Sequence, residues 1–185
     1  MILIFVFYLF SCGEGNNAFK GQKITYSSLK SYTILKQKAV KIEFQGNLKD
    51  INKKAEQLYF WIRQRGMFFG GPLMIFLEET PSFKGKGFLK GYMYFPLLEG
   101  RSAPEYRNKR VLLRPVFGEL TKGTYASLVY KGKIDFLEAG FIKIKNRIDE
   151  EKKDAYGKPV LIFEDTFKNI NKIRKIRILY KTKRR

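Results

Sequence analysis

Residues 40–62 read VKIEFQGNLKDINKKAEQLYFWI, and two periodicities meet inside that run. Val40, Ile42 and Phe44 alternate with Lys41, Glu43 and Gln45, the period of two expected of a half-buried strand. After Gly46 the period changes. Leu48, Ile51, Ala55, Leu58 and Ile62 recur at spacings of three and four, which sets one apolar stripe along a helix. Residues 126–148 read ASLVYKGKIDFLEAGFIKIKNRI and follow the same plan. Their stripe is Ile134, Leu137, Phe141, Ile144 and Ile148, each 86 residues after its counterpart, and Gly132 follows Gly46 by the same 86.

The flanks repeat too. After the first helix comes GPLMIFLE at residues 71–78, and after the second comes KPVLIFED at 158–165. Matching the aromatics there, Phe76 to Phe163, requires an offset of 87 and so one inserted residue. Closing strands are expected from Phe88 to Pro96 and from Ile173 to Tyr180, with Glu99 to Arg110 as the join. A lone strand-helix-strand-strand unit cannot cover its own apolar face. Two copies can share one antiparallel sheet with both long helices on one face, an α+β fold. A groove between such helices, at the seam of the halves, is the expected place for a small ligand.

Composition narrows the chemistry. The 185 residues are 44% hydrophobic and 16% aromatic, with 17 Phe and 11 Tyr, enough for a sizeable core. With no His and one Cys there is no disulfide framework, no zinc ligand set and no histidine general base; neither a metal nor a cofactor is expected. The formal charge of +20 asks for an anionic neighbour or a solubility role. From Lys168 to Arg185 there are nine Lys and Arg and no acid, interleaved with Ile173, Ile176, Ile178 and Tyr180. One reading is contact with anionic lipid head groups. The plainer one is a solvated edge strand whose charges discourage aggregation. No nucleic-acid partner is expected, since no helix-turn-helix or RNP-type aromatic set appears.

Residues 1–10 are apolar apart from Tyr8 and too few to span a bilayer, as in a signal-peptide core. Leu9-Phe10-Ser11-Cys12 resembles the lipobox of bacterial lipoproteins. The expected organisation is a signal peptide over 1–11, a tether over 12–33 beginning at lipidated Cys12, a domain over 34–182 with halves 34–100 and 110–182, and a basic tail at 183–185. That places the chain in the bacterial cell envelope, held to the membrane through Cys12. If the segment is instead a buried strand, the location is cytoplasmic.

The ordered set Leu120-Thr121-Lys122-Gly123-Thr124-Tyr125-Ala126, Val129-Tyr130-Lys131-Gly132, Tyr59-Phe60-Trp61-Ile62, Gly71-Pro72-Leu73-Met74-Ile75-Phe76 and Tyr94-Phe95-Pro96 resembles the GyrI-like small-molecule-binding family, the bacterial effector-binding domain, over residues 34–182. The resemblance implies a ligand-binding cleft, with a few members acting as hydrolases. It also implies a cleft-facing Glu two residues before the aromatic of the strand after the second helix. Here that residue is Leu161, before Phe163, and in the first copy Met74, before Phe76. The cleft is therefore expected to be neutral and aromatic.

The candidate ligand-binding residues are Phe44, Tyr59, Trp61, Met74, Phe76, Tyr94, Tyr130, Leu161 and Phe163, since flat rings offer area at low entropic cost. Ordinary core packing is the alternative for each, and for Trp61 the plainer one. The expected function is non-enzymatic binding of a hydrophobic or aromatic small molecule. A family-type hydrolase would use Glu164 with Tyr130 or Tyr94 as partner. Alternation places Glu164 on the opposite face from Phe163. A protein-interaction inhibitor is the third possibility.

Overall fold

The computed structural model describes residues 24–47, 50–81, 88–102, 115–164 and 174–185. Cys12, the signal segment, Leu48, Ile173 and most of the join between the halves lie outside them. The elements are β1 Thr25–Tyr26, β2 Lys30–Ile34, β3 Gln37–Asn47, α1 Asp50–Gln64, β4 Met67–Phe69, β5 Leu73–Leu77, β6 Phe88–Ser102, β7 Val116–Leu120, β8 Gly123–Gly132, α2 Leu137–Glu150, β9 Lys153–Phe163 and β10 Arg174–Arg184. All strand pairs are antiparallel, in the order β1-β8-β10-β9-β5-β6-β3-β7, with β2 also on β8 and β4 on β6.

The period change at Gly46 is where β3 gives way to α1. Asp50 Oδ2 accepts a hydrogen bond from the Asn47 N–H at 2.9 Å, satisfying a backbone donor at the helix start. Both apolar stripes bury against the same face of the sheet. Ile51, Ala55, Leu58 and Ile62 of α1, and Leu137, Phe141, Ile144 and Ile148 of α2, join Val40, Phe44, Ile75, Met93, Leu128, Tyr130, Leu161, Phe163 and Ile178 in one core. Helix α2 lies so close that a methyl group at Gly140 would stand 2.5 Å from Ile178 Cδ1. Each fully buried Leu or Ile contributes about 2 kcal/mol. Leu58→Ala, at a site with no exposure, would remove about 3 kcal/mol.

The duplication extends further upstream than the expected boundary at residue 34. Strand β7 follows β2 by 86 residues, and the two have the same order of exposed and buried positions. Each crosses to the other half. Strand β2 leads into β3 but pairs with β8, whereas β7 leads into β8 but pairs with β3. The two ladders share one register, from Lys30 opposite Ser127 to Lys41 opposite Val116, interrupted only around Leu35–Lys36 and Thr121–Lys122. The sheet is thereby closed on itself, with the helices outside. Residues 24–33 of the expected tether thus include two strands of the sheet.

Other boundaries moved as well. Strand β6 continues to Ser102, beyond the expected stop at Pro96, and β10 continues to Arg184, taking in most of the expected tail. The inserted residue is not there. Ile75 pairs with Leu161 and Leu73 with Phe163, so the faces of β5 and β9 match at an offset of 86. Phe76 corresponds to Ile162, and Phe163 to Leu77.

Candidate functional site

The nine candidate residues divide between the two faces of the sheet. Phe44, Tyr130, Leu161 and Phe163 lie beneath the helices at 0–5% exposure, and Trp61 joins the same core. Tyr130 donates its hydroxyl hydrogen to the Lys133 carbonyl at 2.6 Å. Burial pushes that phenol well above the ordinary tyrosine range, with Tyr26 and Asp135 adding to it. Tyr59 is exposed on α1 and stacks on Phe69 with centroids 4.7 Å apart. The expected aromatic groove between the helices is thus packed by its own side chains, because the strands point these rings at the helix stripes.

Met74, Phe76 and Tyr94 face the other way, into the interior made by closure. They cluster with Ile34, Ala39, Leu120, Tyr125, Val160, Ile162 and Leu179, with Tyr32 packed alongside. Cross-strand register lays out two rows. Lys41, Tyr94, Met74, Ile162 and Arg177 stand abreast on β3, β6, β5, β9 and β10. Glu43, Tyr92, Phe76, Val160 and Leu179 form the next row.

The duplication makes the two ends of this interior comparable residue by residue. At one end Tyr32 pairs with Tyr125, and at the other the equivalent pair is Gly118 with Ala39. Two phenol rings are replaced by a hydrogen and a methyl group. At the filled end the Arg177 guanidinium lies 4.8 Å above the Tyr32 ring and Lys181 Nζ 5.9 Å from the Tyr125 ring. At the lighter end Phe76 and Tyr94 meet edge to face at 5.0 Å, both half-buried, and burial raises the Tyr94 phenol above its ordinary value, with Tyr92 adding to it. Lys41 Nζ lies 5.6 Å from the Tyr92 ring, and its stem runs past Gly118, where a methyl group would be 3.3 Å from Lys41 Cδ.

Glu164 belongs to the filled end. It takes Lys175 at 2.7 Å and a hydrogen bond from Arg177 Nε at 2.7 Å. Burial pushes its carboxyl upward, but the hydrogen bonds and charges of Lys175 and Arg177 outweigh that and hold it below the usual carboxylate range. It lies on the opposite face from Phe163, as alternation requires, and so also from Tyr130. The hydrolase pair Glu164–Tyr130 is therefore split by the sheet. The counterpart of Glu164 is Glu78, which pairs with Lys90 at 3.0 Å.

A cleft of about 260 Å3 lies near the end of α2, lined among others by Ser31, Thr124, Tyr125, Glu151, Lys153 and Thr182, so it borders the filled end. We place the candidate site in the interior instead, where half-buried rings converge. Sequence reading missed Gly118, Ala39 and Lys41; the repeat of β2 in β7 was the signal that could have found them. Among the described residues no cluster of three His, Cys, Asp or Glu is placed to hold a metal, and no helix is long and apolar enough to cross a membrane.

The chain superposes on the EcmrR C-terminal domain with a TM-score of 0.64 at 11% identity, over 86% of this chain and 98% of that one. It matches EcmrR in a DNA complex equally well, spanning 58% of that longer chain. A hydrolase encoded by lin2189 from Listeria innocua gives a TM-score of 0.55 at 12% identity, over 89% and 95% of the two chains. No family model and no curated protein matches the sequence. The likeness shows the fold alone: this chain shares the architecture of the EcmrR C-terminal domain.

Proposed function

We propose that the protein binds an apolar or aromatic small molecule, without transforming it, in the sheet interior at the Gly118–Ala39 end. The observation that carries this reading is the exchange of the Tyr32–Tyr125 pair for Gly118–Ala39 at equivalent positions, beside the half-buried rings of Phe76 and Tyr94. Met74 and Ile162 form the apolar floor. Ring faces and edges of this kind take a flat ligand with little loss of side-chain freedom. Titration with the methyl ester of 1-pyrenebutyric acid, followed by pyrene fluorescence, tests the reading. Saturable binding that Phe76→Ala weakens about tenfold is expected; a linear, non-saturating signal rejects it. The Leu9-Phe10-Ser11-Cys12 pattern further supports a lipid anchor at the cell envelope. Incorporation of labelled palmitate that Cys12→Ser abolishes is the expected result, and a cytoplasmic, unlabelled protein rejects it.

A further inference from the structure

We infer that the ligand carries a carboxylate and that the Lys41 ammonium anchors it. This rests on the binding reading above and adds the polarity of the bound molecule. The acids on the interior face are mostly spoken for by cations: Glu78 has Lys90, and Glu164 has Lys175 and Arg177. Lys41 is different. Among the described residues it has no carboxylate within ion-pair distance, and Glu43, two residues along the same strand, makes no ion pair with it. Its nearest described electrostatic contact is the face of Tyr92 at 5.6 Å.

Position makes this cation useful. Lys41 stands directly across from Tyr94, which stands directly across from Met74, so the charge sits at the end of an apolar row. Adjacent antiparallel strands are about 4.8 Å apart, and a ring system lying over Tyr94 and Met74 would bring an acid two or three bonds away to the ammonium. The ammonium has three donors, and a ring face satisfies none of them as a carboxylate oxygen would. Gly118 leaves the lysine stem room to lie flat. A lysine held half-buried on an aromatic face, beside half-buried rings, is complementary to an aromatic or long-chain carboxylate, and not to an organic cation. At the other end the place of Lys41 is taken by Ser127, which is buried, so the two ends differ in charge as well as volume.

The test compares 1-pyrenebutyrate with its uncharged methyl ester on the intact protein at neutral pH. The expected result is about tenfold tighter binding of the acid. Lys41→Met should bring the acid to the affinity of the ester and leave the ester unchanged, whereas Lys41→Arg should keep the preference. Lys53→Met, on the exposed side of α1, removes one charge elsewhere and should change neither. Equal affinity of acid and ester for the wild type, or a preference that survives Lys41→Met, overturns the anchor while leaving the apolar site standing. Failure of both probes to bind the wild type overturns the site and the anchor together. A preference reduced equally by Lys53→Met assigns it to overall charge and also overturns the anchor.

Discussion

The two ends of the sheet interior are built from equivalent positions of a duplicated unit and have opposite characters. At one, Tyr32 and Tyr125 fill the space and cations lie on their faces, with Arg177 further tied to Glu164. At the other, Gly118 and Ala39 withdraw, Phe76 and Tyr94 stay half-buried, and Lys41 has no carboxylate partner among the described residues. The fold therefore does not by itself decide where a ligand goes. In the proposed reading the pairs Tyr32–Tyr125 on β2 and β8 and Gly118–Ala39 on β7 and β3 decide it, and one half of the molecule serves as an internal control for the other.

That comparison can be broken from either side. The largest effect is expected from opening the filled end. Tyr125 is 7% exposed, and Tyr125→Ala should cost about 3 kcal/mol in urea unfolding. A loss below 1 kcal/mol would mean that the ring packs poorly and that the two ends are more alike than described. Filling the lighter end is the converse. Gly118→Tyr introduces the ring that Tyr32 supplies at the filled end, and its Cβ would meet the flexible Lys41 stem first. Binding of the pyrene ester should weaken at least tenfold, about 1.4 kcal/mol, with the melting temperature unchanged or higher. Undiminished binding would place the ligand elsewhere.

The equivalent acids sharpen the contrast at smaller scale. Glu164→Gln should cost about 1 kcal/mol at pH 7, since it strips a part-buried carboxylate from Lys175 and Arg177. The folded-state value of Glu164 is depressed, so its contribution is complete above the ordinary carboxylate range and disappears as pH falls through the lowered folded value. The gap between wild type and Glu164→Gln should accordingly close in unfolding curves taken at progressively lower pH, and a gap constant with pH would refute the assignment. Glu78→Gln removes a more exposed pair with one lysine, and a few tenths of a kcal/mol is expected. Equal losses for the two variants would erase the asymmetry.

Much of the architecture was legible. The shift from period two to period three-four at Gly46 and its repetition at Gly132 located β3, α1, β8 and α2, because both elements bury one face and leave the other in water. The candidate site was legible only in part. Phe44, Tyr130, Leu161 and Phe163 are as apolar as Phe76, and composition does not say which face of a strand meets the helices. The similarity of the segments after the helices misled for the same reason: aligning Phe76 with Phe163 shifts the second strand by one residue and turns every side chain over. Gly118 and Ala39 stayed silent because small residues contribute no hydrophobic signal. Their meaning comes only from the tyrosines at the matching positions.

The crossing of β2 and β7 also governs how the molecule comes apart. Each hydrogen-bonds to the half it does not belong to, so a fragment cut between the halves would keep its helix but lack an outer strand. Pairing Lys30 with Ser127 closes a loop of more than half the domain and has to wait until the second half is being made. Urea should melt the protein in one cooperative step, and separately expressed halves should acquire stable structure only when mixed.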